Sequence, residues 1–97
     1  MDIGDFQTRM EQAYGARDRR RGTEATVAWL AEEVGELARS VRKGTDAERL
    51  HELGDVLAWL ASLANQLGLS LDEAAARYDP GCPKCGACPC TCPDLAG

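Results

Sequence analysis

Apolar positions recur along most of this chain with the period of an α-helix, and strand-like alternation never lasts more than a few residues. The clearest stripe is Val27, Leu30, Ala31, Val34, Leu37, Ala38 and Val41. It predicts a helix from Thr23 as N-cap to about Lys43, with one buried face. Arg42 and Lys43 suit a helix C-terminus, and Gly44 suits the next position, where left-handed backbone is preferred. Thr45-Asp46-Ala47-Glu48 is a capping-box pattern, so another helix starts at once. Its stripe is Leu50, Leu53, Leu57, Leu60, Ala64 and Leu67, and Gly68 ends it. Upstream, Ile3 to about Tyr14 forms a first amphipathic helix, joined to the next by a polar, Arg-rich connection ending at Gly22. Downstream, Ser70-Leu71-Asp72-Glu73 opens a short fourth helix to about Tyr78, closed by Pro80 and Gly81. The expected architecture is all-α, with residues 1–80 as a helical domain and 81–97 as a Cys-rich tail.

The short link at Gly44 forces the two long helices into an antiparallel hairpin. On an ideal wheel, Glu33 and Glu36 lie at about -100° and -160° from Val34, and Glu52 and Asp55 lie at about -100° and -160° from Leu53. Equal offsets on facing antiparallel helices put both acidic flanks on one edge of the hairpin. Residues equidistant from Gly44 sit level, which pairs Glu33 with Asp55 and Glu36 with Glu52. Four ionised carboxylates cannot share such a site unaided, because two like charges ~4 Å apart repel by ~4 kcal/mol at an effective dielectric of 20. A cation is therefore expected, and hard oxygen donors suit Mg²⁺ or Mn²⁺. His51 points about 100° away from Glu52 on the wheel and is expected at the surface. Acidic i, i+3 pairs are common on solvated faces, and the match in angle and height across the hairpin is what favours a site.

Trp29 and Trp59 fall on the same flanks, near one end of the acidic patch. Each suits either stacking on a base or a subunit contact, and for Trp59 the contact is the preferred expectation.

Composition narrows the function classes. The net charge of -5 argues against a polymeric nucleic-acid or anionic-membrane binder. Within that acidic chain, four of nine arginines fall between Arg17 and Arg21. Together with Lys43 they are candidates for phosphate contacts on charge alone, or else a solvated loop. The chain lacks a basic, apolar leader and any apolar run of membrane-spanning length, so a cytoplasmic location is expected. About eighty residues are left for a packed core, which is small; self-association and bound metal are the expected remedies. Five cysteines between Cys82 and Cys92, kept reduced, suggest metal ligation more than disulfides. A C-x-x-C turn followed by C-x-C offers four thiolates in a tetrahedron, which suits Zn²⁺ ahead of a redox dithiol or a metal-scavenging tail.

The segments Glu32-Glu33-Val34-Gly35-Glu36-Leu37 and His51-Glu52-Leu53-Gly54-Asp55-Val56-Leu57 resemble the MazG family of all-helical nucleoside triphosphate pyrophosphohydrolases, over roughly residues 24 to 78. The shared signature is E-x-x-E, a spacer of fifteen residues here, then E-x-x-D. The resemblance implies a small helical bundle completed as a homodimer or homotetramer. It also implies Mg²⁺ held by Glu33, Glu36, Glu52 and Asp55, and hydrolysis of an NTP or dNTP to the monophosphate and pyrophosphate, as in nucleotide-pool clean-up. Glu32 or Glu33 is then the proton acceptor, while Trp29 stays a base-stacking candidate on its wheel position and Arg17, Arg21 and Lys43 stay candidates for phosphate on charge alone. Many members follow the fourth helix with a basic, Asn-containing segment, where this chain has Asp79-Pro80-Gly81, so base preference is unassigned. A Cys-Pro-x-Cys tail ending Pro-Cys-x-Cys is similar to that of some compact members and implies Cys82, Cys85, Cys90 and Cys92 as the zinc ligands, with Cys88 surplus. The competing expectations are a noncatalytic nucleotide- or metal-binding module and a zinc-stabilised interaction protein with a merely solvated acidic edge.

Overall fold

A computed structural model describes residues 1–94 and is all-helical, so positions 95–97 of the tail segment lie outside the described residues. Four helices follow one another: α1 (Ile3–Arg21), α2 (Thr23–Lys43), α3 (Asp46–Leu67) and α4 (Leu71–Ala76). None of them is long and apolar enough to cross a membrane.

The hairpin of α2 and α3 forms as the short link requires. Thr45 Oγ1 accepts from the Glu48 N–H at 3.2 Å, and the Glu48 carboxylate accepts from the Thr45 N–H at 3.1 Å, so the predicted capping box is complete. The Thr45 N–H and then the Thr45 hydroxyl, both donating to the Glu48 carboxylate, hold it below its usual range. Arg49 reaches back from α3 to the carbonyls of Ser40 and Val41, each at 3.0 Å. A cation thus satisfies the orphan C-terminal carbonyls of α2. At Ser70 one half of the predicted box forms, with Ser70 Oγ accepting from the Glu73 N–H.

Three local expectations are corrected. Helix α1 does not stop near Tyr14 but continues through the arginines to Arg21. Arg is a good helix former, basic residues favour a last turn, and Arg21 pairs with Asp18 one turn back at 2.9 Å. Thr23 is not the N-cap of α2; Gly22, at φ 89°, holds that place without a side-chain cap. Gly44 is extended, not left-handed, at φ -95°. Glycine is favoured there by closeness, since a Cβ would meet the Ser40 carbonyl oxygen at 2.7 Å.

Helix α1 runs antiparallel to α3 and is fastened at both ends by polar side chains. The Gln7 side chain donates to Asn65 Oδ1 at 3.0 Å and to the Leu69 carbonyl at 2.7 Å, while its Oε1 accepts from the Leu71 N–H at 2.8 Å. Near the other end, Gln66 donates to the Asp18 carbonyl at 2.7 Å. The interior is small and partly polar: Ala61 and Ala64 are its buried apolar residues, alongside buried Asp18, Thr26, Ser40 and Ser62.

The predicted burial of the two stripes is overturned within this chain. Val27, Val34 and Val41 on α2, with Leu50, Leu53, Leu60 and Leu67 on α3, are between 39% and 72% exposed. The periodicity marks a face that avoids water, but α1 is one helix and covers another side of the hairpin. Only Leu30, Leu37 and Leu57 of the large stripe residues are partly buried.

Candidate active site

Two features of the chain bring the four acidic side chains together: their shared wheel angle and the tight turn at Gly44-Thr45. The Glu33 carboxyl is raised above the ordinary carboxylate range. Burial is the largest cause, followed by the charges of Asp55 and Glu52, a hydrogen bond shared with Glu52, and the charge of Glu36. Asp55, Glu52 and Glu36 therefore all lie close enough to act on Glu33. Glu52 Oε2 is buried without a hydrogen-bond partner among the described residues, an arrangement that costs free energy unless a donor or cation completes it.

His51 lies nearer than the wheel suggested. Its Nε2 sits 3.3 Å from Asp55 Oδ2, although the ring is largely exposed. One ring nitrogen of His51 and one carboxylate oxygen each from Glu52 and Asp55 lie within 4.8 Å of one another. The signal was present as i, i+4 spacing from His51 to Asp55, which faces the two side chains together. Glu32 is exposed, and its charge is not among those acting on Glu33.

The acidic cluster lies between two clefts. One, of about 360 Å³, runs between α1 and α3. Tyr14, Arg17, Asp18 and Arg21 line it from α1 at i, i+3, i+4 and i+7. Asp55, Ala58, Trp59 and Ser62 line it from α3 at the same spacing, so two helical faces of equal period form its walls. The other, of about 260 Å³, lies at the hairpin turn, where Glu36, Lys43 and Glu52 meet. The candidate cations are thus divided: Arg17 and Arg21 share the α1–α3 cleft with Asp55, whereas Lys43 lies in the cleft at the turn.

Arg21 is the most constrained of these cations. It donates to Asp18 Oδ1 at 2.9 Å and to Thr26 Oγ1 at 3.2 Å, and its guanidinium lies 4.7 Å from the centroid of the Trp59 ring. Asp18 is 2% exposed, and its second oxygen has no partner among the described residues. Trp29, the stacking candidate, is itself stacked on Trp59 and does not line the cleft. Tyr14 and Asp18 carry no local signal as cleft residues, because their register against α3 depends on α1 continuing past Tyr14; Trp59, for which a subunit contact is the preferred expectation from sequence, lines the cleft instead.

In the tail, Cys82, Cys85, Cys90 and Cys92 offer sulfurs that all lie within 4.8 Å of one another, and Cys88 stands outside the group. Hydrogen bonds from Thr91, by its side chain and then its N–H, push the Cys85 thiol down to about 5. Backbone N–H groups of Cys85 and Lys84 lower Cys82, while the neighbouring thiol of Cys90 raises Cys92.

Comparison with known proteins covers the helical part of the chain. Residues 21–79 match the family described as MazG nucleotide pyrophosphohydrolase domain, a span that contains all four acidic residues. A Bacillus subtilis (strain 168) relative, called uncharacterized protein YpjD, is 44% identical over 63 residues. The overlap covers 55% of this chain and 57% of the relative, so the chain spans little more than half of the curated protein it matches.

Proposed function

The chain belongs to the MazG nucleotide pyrophosphohydrolase domain family, and on that premise we propose that it hydrolyses a nucleoside triphosphate, ribo- or deoxyribo-, to the monophosphate and pyrophosphate. The observation that carries this reading is the convergence of Glu33, Glu36, Glu52 and Asp55 from the two matched motifs onto one cluster.

The donor set fits a hard divalent cation. Glu33, Glu36, Glu52 and Asp55 would hold Mg²⁺, or Mn²⁺ in its place, with the orphaned Glu52 Oε2 turned from a burden into a ligand. When bound, the ion supplies charge neutralisation at the phosphate oxygens. Glu33, made a stronger base by burial and by the charges of its neighbours, takes a proton from the attacking water as the water oxygen bonds to the α-phosphorus. The bond from that phosphorus to the bridging oxygen breaks, and pyrophosphate leaves with the electron pair. Glu32, exposed and outside the cluster, is less suited to that proton transfer.

The α1–α3 cleft opens beside Asp55 and is the proposed seat of the nucleotide. Arg17 is exposed at its wall and free to meet phosphate, whereas Arg21 is engaged by Asp18 and Thr26 and shapes the cleft more than it reaches out. The exposed valines and leucines of α2 and α3 support self-association as a homodimer or homotetramer, which would bury the face that this chain leaves open.

Incubating the purified chain with Mg²⁺ and a panel of standard and modified triphosphates, with separate assays for pyrophosphate and orthophosphate, tests this function. Metal-dependent pyrophosphate equal in amount to the monophosphate supports it. Orthophosphate as the product, or nucleotide binding without turnover, would sink it.

A further inference from the structure

The thiol group of the tail has no part in the chemistry above, and its geometry is that of a different metal. Cys82 and Cys92 sulfurs are 3.8 Å apart, and Cys85 and Cys90 sulfurs 3.9 Å apart. Four sulfurs at the corners of a tetrahedron around zinc, with Zn–S of about 2.3 Å, have edges of ~3.8 Å. Two disulfides would instead draw each pair to about 2 Å. The fifth thiol, Cys88, is exposed and outside the group.

The backbone between the ligands is shaped to converge them. The Gly86 N–H donates to the Cys82 carbonyl at 2.7 Å, and the Cys82 N–H donates to the Ala87 carbonyl at 3.0 Å, closing a tight turn around Cys85. Gly86 takes φ 75°, and Gly81 takes φ 134° where a Cβ would meet the Ala87 oxygen at 2.6 Å. The N–H groups of Thr91 and Cys92 point at the sulfurs of Cys85 and Cys90, both at 3.3 Å. Such donors favour sulfur in its thiolate form. Beyond Gly81 the described tail contains neither helix nor strand, so little besides these turns holds the four thiols together.

We propose that Cys82, Cys85, Cys90 and Cys92 bind one Zn²⁺ in a closed four-thiolate site, releasing the thiol protons as they do so, and that Cys88 remains a free thiol. The site is structural: all four positions around the ion are filled by protein, leaving none for water or substrate. Folding of the tail is then coupled to the metal, while the helices carry their own caps and packing. Soft sulfur and hard carboxylate donors keep the two metals apart, so excess Mg²⁺ does not displace the zinc.

The test uses the full, reduced chain. Elemental analysis should find about one zinc per chain after dialysis against Mg²⁺. Cobalt in its place should give thiolate charge-transfer bands and the visible bands of a tetrahedral ion. A thiol reagent should label one cysteine rapidly with zinc bound, and all five once chelator and denaturant are added. Cys88→Ser should abolish the rapid thiol and keep the zinc, while Cys85→Ser should weaken binding by more than about tenfold. Circular dichroism of each variant separates loss of the site from loss of the helices. Equal zinc loss in Cys88→Ser and Cys85→Ser, no metal uptake by the reduced wild-type chain, or paired disulfides persisting in reductant would each overturn the proposal.

Discussion

Trp29 of α2 and Trp59 of α3 stack across the hairpin, with ring centroids 5.8 Å apart and planes 12° from parallel. The pair stands on the same flanks as the acidic cluster and ties the two helices together beside the cleft. An offset stack of this kind contributes about 0.5–1.5 kcal/mol beyond area burial. A double-mutant cycle with Trp29→Leu and Trp59→Leu, read by denaturant unfolding, should return a coupling energy in that range. Trp59→Leu should also raise KM more than Trp29→Leu does, because Trp59 lines the cleft and seats Arg21.

Substituting single ligands tests the acidic cluster. Glu36→Gln and Asp55→Asn should each lower pyrophosphate release by roughly 100-fold or more, since several kcal/mol of charge stabilisation depends on the held cation. Helical content should be unchanged in both. Activity within a few-fold of wild type in either variant would remove that residue from the site.

Glu33 carries opposite consequences for stability and for activity. Without divalent metal its neighbours repel its charge, so Glu33→Gln should raise the Tm of the metal-free chain while abolishing turnover. The sign with pH follows from the raised pKa. The folded value lies above the unfolded one, so the stabilisation from protonating Glu33 is fully present below the ordinary carboxylate range and is lost as pH rises through the folded value. The gap in Tm between variant and wild type should therefore widen with rising pH in chelator. A constant gap would show that charge repulsion is not its source.

The Arg21–Asp18 pair makes the cleft wall dependent on both partners. Arg21→Met leaves a buried carboxylate uncompensated and should cost about 2–3 kcal/mol, less than the roughly 3–5 kcal/mol of a fully buried pair because Arg21 is 23% exposed. Adding Asp18→Asn should recover part of that loss. Urea unfolding of the single and double variants measures both, and no recovery would mean that Arg21 stabilises through Trp59 and Thr26 instead.

The open apolar face predicts an assembly. Val34→Glu or Leu53→Glu should convert the chain from a dimer or tetramer to a monomer in light scattering, with loss of thermal stability. A wild-type chain that is already monomeric and stable at the same concentration would contradict it.

Much of this was set by local sequence. The Thr45 and Ser70 caps, the stop at Gly68, and the positions of Glu33, Glu36, Glu52 and Asp55 on one edge follow from helical period plus one short turn, all short-range constraints. The four converging thiols likewise lie within eleven positions of one another. Tertiary structure decided the rest. A stripe shows that a helix face avoids water, but not whether its cover comes from the same chain or another, and here α1 packs elsewhere and leaves Val34 and Leu53 open. The α1–α3 cleft, the Trp29–Trp59 stack and the burial of Asp18 depend on how far α1 runs and at what register it meets α3. Gln7, Asn65 and Gln66 fix that register through contacts between residues 48 to 64 positions apart, which no local pattern encodes.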